Sequence, residues 1–188
     1  VTLAASAKAK ELKAQGLDIL SVTLGEPDFP TPENIQQAAI AAIQSGKASF
    51  YTPTAGIPEL RQAVVSYIER YYGLNYSPKE TLITDGAKFA LYALFQVILD
   101  AQDEVLIPVP YWVSYADQVQ LAEGVPVFVQ GKEENQFKVT VEQLTACLTA
   151  KTKALVLNTP SNPTGMIYTK EELQSIGEWA VEHNILII

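Results

Sequence analysis

Ala154-Leu-Val-Leu-Asn-Thr-Pro-Ser-Asn-Pro-Thr-Gly165 joins a short apolar run to a loop of two prolines, two asparagines, two threonines, a serine and a glycine. Thr169 follows shortly after, and Glu172 three residues further on completes a capping-box signature for a helix over Lys170–Glu182. A buried strand over Ala154–Leu157, a rigid loop and a capped helix make up one repeating unit of an α/β protein.

The same alternation runs through the preceding residues. Strands are predicted over Thr81–Thr84, Glu104–Pro108 and Val125–Val129, and a last one over Ile185–Ile188. Helices are predicted over Lys88–Leu99, Val113–Ala122 and Val141–Leu148, the last opened by a second capping box, Thr140-Val-Glu-Gln143. Strands separated by helices of this kind imply a mostly parallel sheet with helices on both faces.

A helical segment comes first. Ala4–Gln15 has helical spacing and stops at Gly16, Asp18–Val22 reads as a short strand, and Gly25–Pro30 must be loop. Thr31 as N-cap, Pro32 at the first helical position and Glu33 in the first turn predict a helix to about Ser45. A further helix should span Pro58–Tyr72 and close at Gly73. Residues 1–50 are therefore expected to form an N-terminal segment, and 51–188 the first part of the α/β domain.

With 188 residues, 48% of them hydrophobic and 18% charged, the chain can bury a substantial core. A net charge of −8 argues against broad contact with nucleic acid or an anionic membrane, and no apolar run approaches 18 residues. Cys147 is the single cysteine, so neither an internal disulfide nor a thiolate metal cluster is expected, and a cytoplasmic setting fits best. The start at Val1 and the apolar end at Ile188 lead us to expect a piece of a longer protein.

In a parallel α/β sheet, ligands bind beyond the carboxyl ends of the strands, so the loops after Thr84, Pro108 and Leu157 are the candidate sites. In the first, Gly86 and Ala87 stand at a helix entrance, where free N–H groups can hold a phosphate or the glycine can simply make the turn. In the second, Trp112 and Tyr115 could stack on a planar heterocycle or belong to the core. In the third, Pro160 and Pro163 stiffen the chain and leave the Asn162 amide available, unless the loop serves only as a turn into the next helix.

Five segments taken in order resemble the landmarks of the class I, fold-type I aminotransferases, and among them the bacterial-type aspartate aminotransferases. They are Leu24-Gly-Glu-Pro-Asp-Phe29, Tyr51-Thr-Pro-Thr-Ala-Gly-Ile-Pro-Glu-Leu60, Asp85-Gly-Ala-Lys88, Pro110-Tyr-Trp112 and Ser161-Asn-Pro-Thr-Gly165. The resemblance implies pyridoxal 5′-phosphate as cofactor and transamination between an L-amino acid, aspartate first, and a 2-oxo acid such as 2-oxoglutarate. It also implies a homodimer in which Tyr51 reaches the phosphate of the neighbouring subunit's cofactor.

By the same resemblance Gly86, Ala87 and Lys88 cradle the phosphate, Trp112 stacks on the pyridine ring, and Asn162 binds its phenolic oxygen. Gly25 offers its N–H to the substrate carboxylate, and Thr2 lies near the substrate. Trp112 and Asn162 also face the substrate. Lys88 is associated with the distal carboxylate of acidic substrates, a role suited to an ammonium on a flexible stem. It is not the Schiff-base lysine, which the resemblance puts beyond Ile188, so no catalytic residue is expected within the chain. Residues 1–50 would then be part of the small domain, a substrate lid and a dimer arm. Enzymes of the same fold acting on aromatic or prephenate substrates, a C–S β-lyase, or an aminotransferase-like sensor domain of a regulator are the alternatives.

Overall fold

The computed structural model describes residues 2–22, Gly25 and 27–188. The chain divides into two compact units, residues 1–53 and 54–188. Helix α1 (Thr2–Ala14) ends at Gly16, whose φ of +83° is a conformation glycine adopts without strain. Helix α2 (Glu33–Gln44) ends in the same way before Gly46.

Two local expectations in this unit shift. Pro32, not Thr31, holds the N-cap position of α2, and no side chain caps it. The Pro32 carbonyl takes the Ile35 and Gln36 N–H groups instead. Residues 18–22 are irregular rather than a strand. A strand exists only by pairing, and among the described residues of this unit there is no partner strand.

In the second unit α3 (Pro58–Tyr72) starts on a proline and closes at Gly73, as expected from its two flanking signals. A third capping box, Ser77 with Glu80, opens a single 3₁₀ turn that sequence reading passed over. The expected strand over 81–84 is likewise absent, although Ile83 N–H does donate to the Ala55 carbonyl at 3.1 Å.

The remaining elements alternate. They are α4 (Ala87–Ile98), β1 (Glu104–Val109), α5 (Ser114–Leu121), β2 (Val125–Gln130), α6 (Val141–Cys147), β3 (Thr152–Leu155), α7 (Lys170–Glu182) and β4 (Leu186–Ile187). The strands are all parallel, in the order β2-β1-β3-β4. Both capping boxes read from the sequence are formed, at Thr140 and Thr169.

Alternation along the strands divides the core in two. Val105, Ile107, Ala154 and Val156 pack with Phe95 of α4 and Val119 of α5, whereas Leu106 and Leu155 pack with Leu144 of α6 and Ile176 of α7. Parallel crossovers are right-handed, so a chain that steps outward from β1 to β2 and then back past it must put its helices on opposite faces. That reversal explains why both faces are covered.

Candidate functional site

The reversal occurs between β1 and β3, neighbours in the sheet whose following connections run to opposite sides. Such a switch point opens a crevice at the carboxyl edge, because the two crossover helices diverge from it. Of the three loops open to a ligand from sequence, this sheet order joins two, the one through Trp112 and the one through Asn162. An opening at that edge is lined by Pro110, Tyr111, Tyr115, Asn158, Ser161 and Asn162.

The Asn162 loop is braced from within. Asn158 Oδ1 accepts the Asn162 N–H at 3.0 Å, Ser161 N–H donates to the Met166 carbonyl at 2.9 Å, and Gly165 N–H returns to the Ser161 carbonyl at 2.7 Å. The peptide bonds before Pro160 and Pro163 are both cis. With its backbone N–H held and its side chain exposed, Asn162 makes no side-chain hydrogen bond to the described residues. Its amide is free to meet a ligand.

The loop's exit is anchored by Tyr168 and Lys138, which sequence reading missed, together with the Thr169–Glu172 capping box. Tyr168 N–H donates to Thr159 Oγ1 at 3.2 Å, and its buried hydroxyl accepts the Val139 N–H at 2.9 Å. Burial pushes the Tyr168 phenol above its usual range, and the Val139 bond partly offsets this. One residue further, Thr169 N–H donates to the Glu172 carboxylate, which also accepts Lys138 Nζ at 2.6 Å. A buried lysine matched to a glutamate 34 residues away leaves no local sequence pattern, so only the fold reveals it.

At the other loop, the Lys88 ammonium lies 5.1 Å from the centre of the Trp112 ring, and Trp112 meets Tyr115 edge-on at 5.4 Å. Tyr115 is core, and burial raises its phenol pKa. Trp112 is half-buried, packed against the same core with part of its ring accessible. Packing thus makes Tyr115 a core residue and leaves part of the Trp112 ring accessible.

Gly86 precedes α4 at φ +83° and ψ 165°, a conformation closed to most side chains, and apart from its chain neighbours nothing lies within 4 Å of where a Cβ would stand. The first-turn N–H groups of α4 at Ala87 and Lys88 have no partner inside the helix. Gly25 and Tyr51 belong to the first unit; both are exposed, Tyr51 completely. The role expected of Thr2 rests on a side chain outside the described residues.

Among the described residues no group of three His, Cys, Asp or Glu side chains could hold a metal ion. No described helix is long and apolar enough to cross a membrane.

Residues 18–188 match the model of the family "Aminotransferase class I and II". The chain belongs to that family. An asparagine–oxo-acid transaminase of Streptococcus mutans is 58% identical over the whole chain, and an aspartate aminotransferase of Bacillus subtilis 53%. The chain spans about half the length of the curated relatives it matches, 48% and 47% for these two aminotransferases. The solved structure of Thermus thermophilus aspartate aminotransferase with maleate superposes with a TM-score of 0.93 at 48% identity, covering 99% of this chain and 48% of that one.

Proposed function

We propose that the protein carrying this chain transfers an amino group between an L-amino acid, aspartate first, and a 2-oxo acid such as 2-oxoglutarate. Pyridoxal 5′-phosphate would be the cofactor. The observation that supports this most is the adjacency of β1 and β3, which gathers the Trp112 and Asn162 loops at one sheet edge in a family that uses this cofactor.

The residues present fit the group. Gly86 and the free N–H groups of Ala87 and Lys88 would bind the phosphate, with the positive end of α4 favouring its charge. Trp112 would cover a face of the ring, and the exposed Asn162 amide would donate to the phenolic oxygen. Bound there, pyridoxal phosphate supplies an electron sink for charge developing at the substrate Cα. Lys88 would meet the distal carboxylate of an acidic substrate, and by resemblance alone Gly25 is assigned the α-carboxylate.

Resemblance alone supports three further assignments: Tyr51 to the neighbouring subunit's cofactor in a homodimer, the first unit to a small domain with lid and dimer arm, and the Schiff-base lysine to residues beyond Ile188. No catalytic residue is assigned within the chain.

Titration of the 188-residue chain with pyridoxal 5′-phosphate, followed by calorimetry, tests the reading. Binding weakened about tenfold or more by Trp112→Ala and by Asn162→Ala is expected. Absence of binding, or affinity untouched by both changes, would sink it. Substrate choice follows from comparing aspartate, asparagine and phenylalanine as amino donors to the complete enzyme, since relatives carry all of the names aspartate, asparagine and prephenate.

A further inference from the structure

We infer that Gln118 is a positioning residue for this site: its carboxamide holds Lys88 so that the ammonium stays over Trp112. The inference rests on the reading of Lys88 and Trp112 given above. Gln118 lies within α5 and is 5% exposed, next in sequence to the core residue Val119. Its Nε2 donates to the Lys88 carbonyl at 2.7 Å.

That carbonyl sits in the first turn of α4, where the helix already supplies a donor four residues on. The bond from Gln118 is a second one on the same oxygen, and α4 does not need it. The other end of the amide is unsatisfied: among the described residues Gln118 Oε1 is buried without a hydrogen-bond partner. Leaving a buried acceptor unpaired costs at least as much as an ordinary neutral hydrogen bond returns. A leucine would pack the α4–α5 contact without that deficit, so stability does not account for the amide.

Position does. Gln96 of α4 donates to the Leu121 carbonyl at the end of α5 at 3.0 Å, so the two helices are tied in both directions. Of the two ties, the one from Gln118 is attached to Lys88 itself. Trp112 lies two residues before α5, and the contact between its ring and an exposed ammonium is weak on its own. The tie across the helices fixes the backbone position from which the ammonium reaches the ring.

The test uses 5-fluorotryptophan-labelled protein, with the Trp112 ¹⁹F resonance assigned by Trp112→Phe. Lys88→Ala should displace this resonance, Gln118→Leu should displace it in the same direction, and adding Gln118→Leu to Lys88→Ala should do nothing more. Affinity for pyridoxal 5′-phosphate should fall about tenfold in each single variant and about tenfold, not a hundredfold, in the double. The melting temperature of Gln118→Leu should be no lower than the parent's, and Gln118→Met repeats the comparison should leucine repack the helices.

An unmoved Trp112 resonance in the Gln118 variants, or multiplicative losses in the double variant, would overturn the inference. Should Lys88→Ala displace the resonance and leave affinity unchanged, the link from Lys88 through Trp112 to cofactor binding fails while the tie through Gln118 stands.

Discussion

Lys88 and Trp112, 24 positions apart in sequence, meet at 5.1 Å between ammonium and ring centre. The ammonium is exposed, so the attraction contributes about 0.5–1 kcal/mol. A lysine in the first turn of a helix opposes the dipole by about 0.3–1 kcal/mol. These nearly cancel. Lys88→Ala should change the unfolding free energy by less than about 0.5 kcal/mol in a urea titration, and a loss above about 1.5 kcal/mol would give Lys88 a structural role instead.

Lys138 and Glu172 pair at 2.6 Å with unequal burial, the lysine side chain 10% exposed and the glutamate 34%. Glu172→Gln leaves a buried ammonium without its counter-charge, whereas Lys138→Met leaves a carboxylate that water still reaches and Thr169 N–H still serves. Glu172→Gln should therefore destabilise by about 1.5–3 kcal/mol and Lys138→Met by less, measured by chemical denaturation. Equal losses would contradict the asymmetry.

The same pair sets a pH dependence. The hydrogen bond from Lys138, and then that from the Thr169 backbone, hold the Glu172 carboxyl below its ordinary value. A depressed carboxylate stabilises the fold above its unfolded pKa, and the contribution is lost as pH falls through the folded one. The parent should thus lose stability on acidification below the ordinary glutamate range more steeply than Glu172→Gln. Parallel profiles for the two proteins would rule this out.

Thr169 and Thr31 both precede helices, yet only Thr169 caps one, accepting the Glu172 N–H at 3.2 Å. Thr169→Ala should cost about 1 kcal/mol and Thr31→Ala close to nothing, read from the midpoints of thermal unfolding. A matching loss at Thr31 would show that α2 uses its side chain after all.

Gly131 follows β2 and donates to the Val109 carbonyl at 2.9 Å. A methyl group there would run into the backbone oxygens of Phe137 and Val109, the latter at 2.7 Å. Backbone cannot rotate aside as a side chain would, so Gly131→Ala should destabilise by about 3 kcal/mol. A stable Gly131→Ala protein would mean that the segment around Phe137 yields easily.

Much of the fold is legible from neighbouring residues. The Thr140 and Thr169 capping boxes, Pro58 opening α3 and Gly73 closing it are satisfied within a turn or two of chain, so their outcome depends on little beyond it. The expected strands at 18–22 and 81–84 fail for the converse reason: pairing needs a partner that local sequence cannot supply. The aromatics after β1 show the same limit, since sequence offered core or ligand contact for both, and packing made Tyr115 core while leaving Trp112 half-exposed.

The Asn158–Gly165 stretch shows where the two sources of information divide. Its prolines and asparagines by themselves determine a stiff loop between an apolar strand and a capped helix, because proline restricts torsions locally. Only the tertiary structure decides that this loop stands beside the one through Trp112, because the chain leaves β2 and crosses back over β1 to set β3 against its other edge. It alone also decides that Tyr168 and Lys138 anchor the loop's exit and that Gln118 ties Lys88. These relations span tens of residues, and they are set by which surfaces the whole sheet buries together.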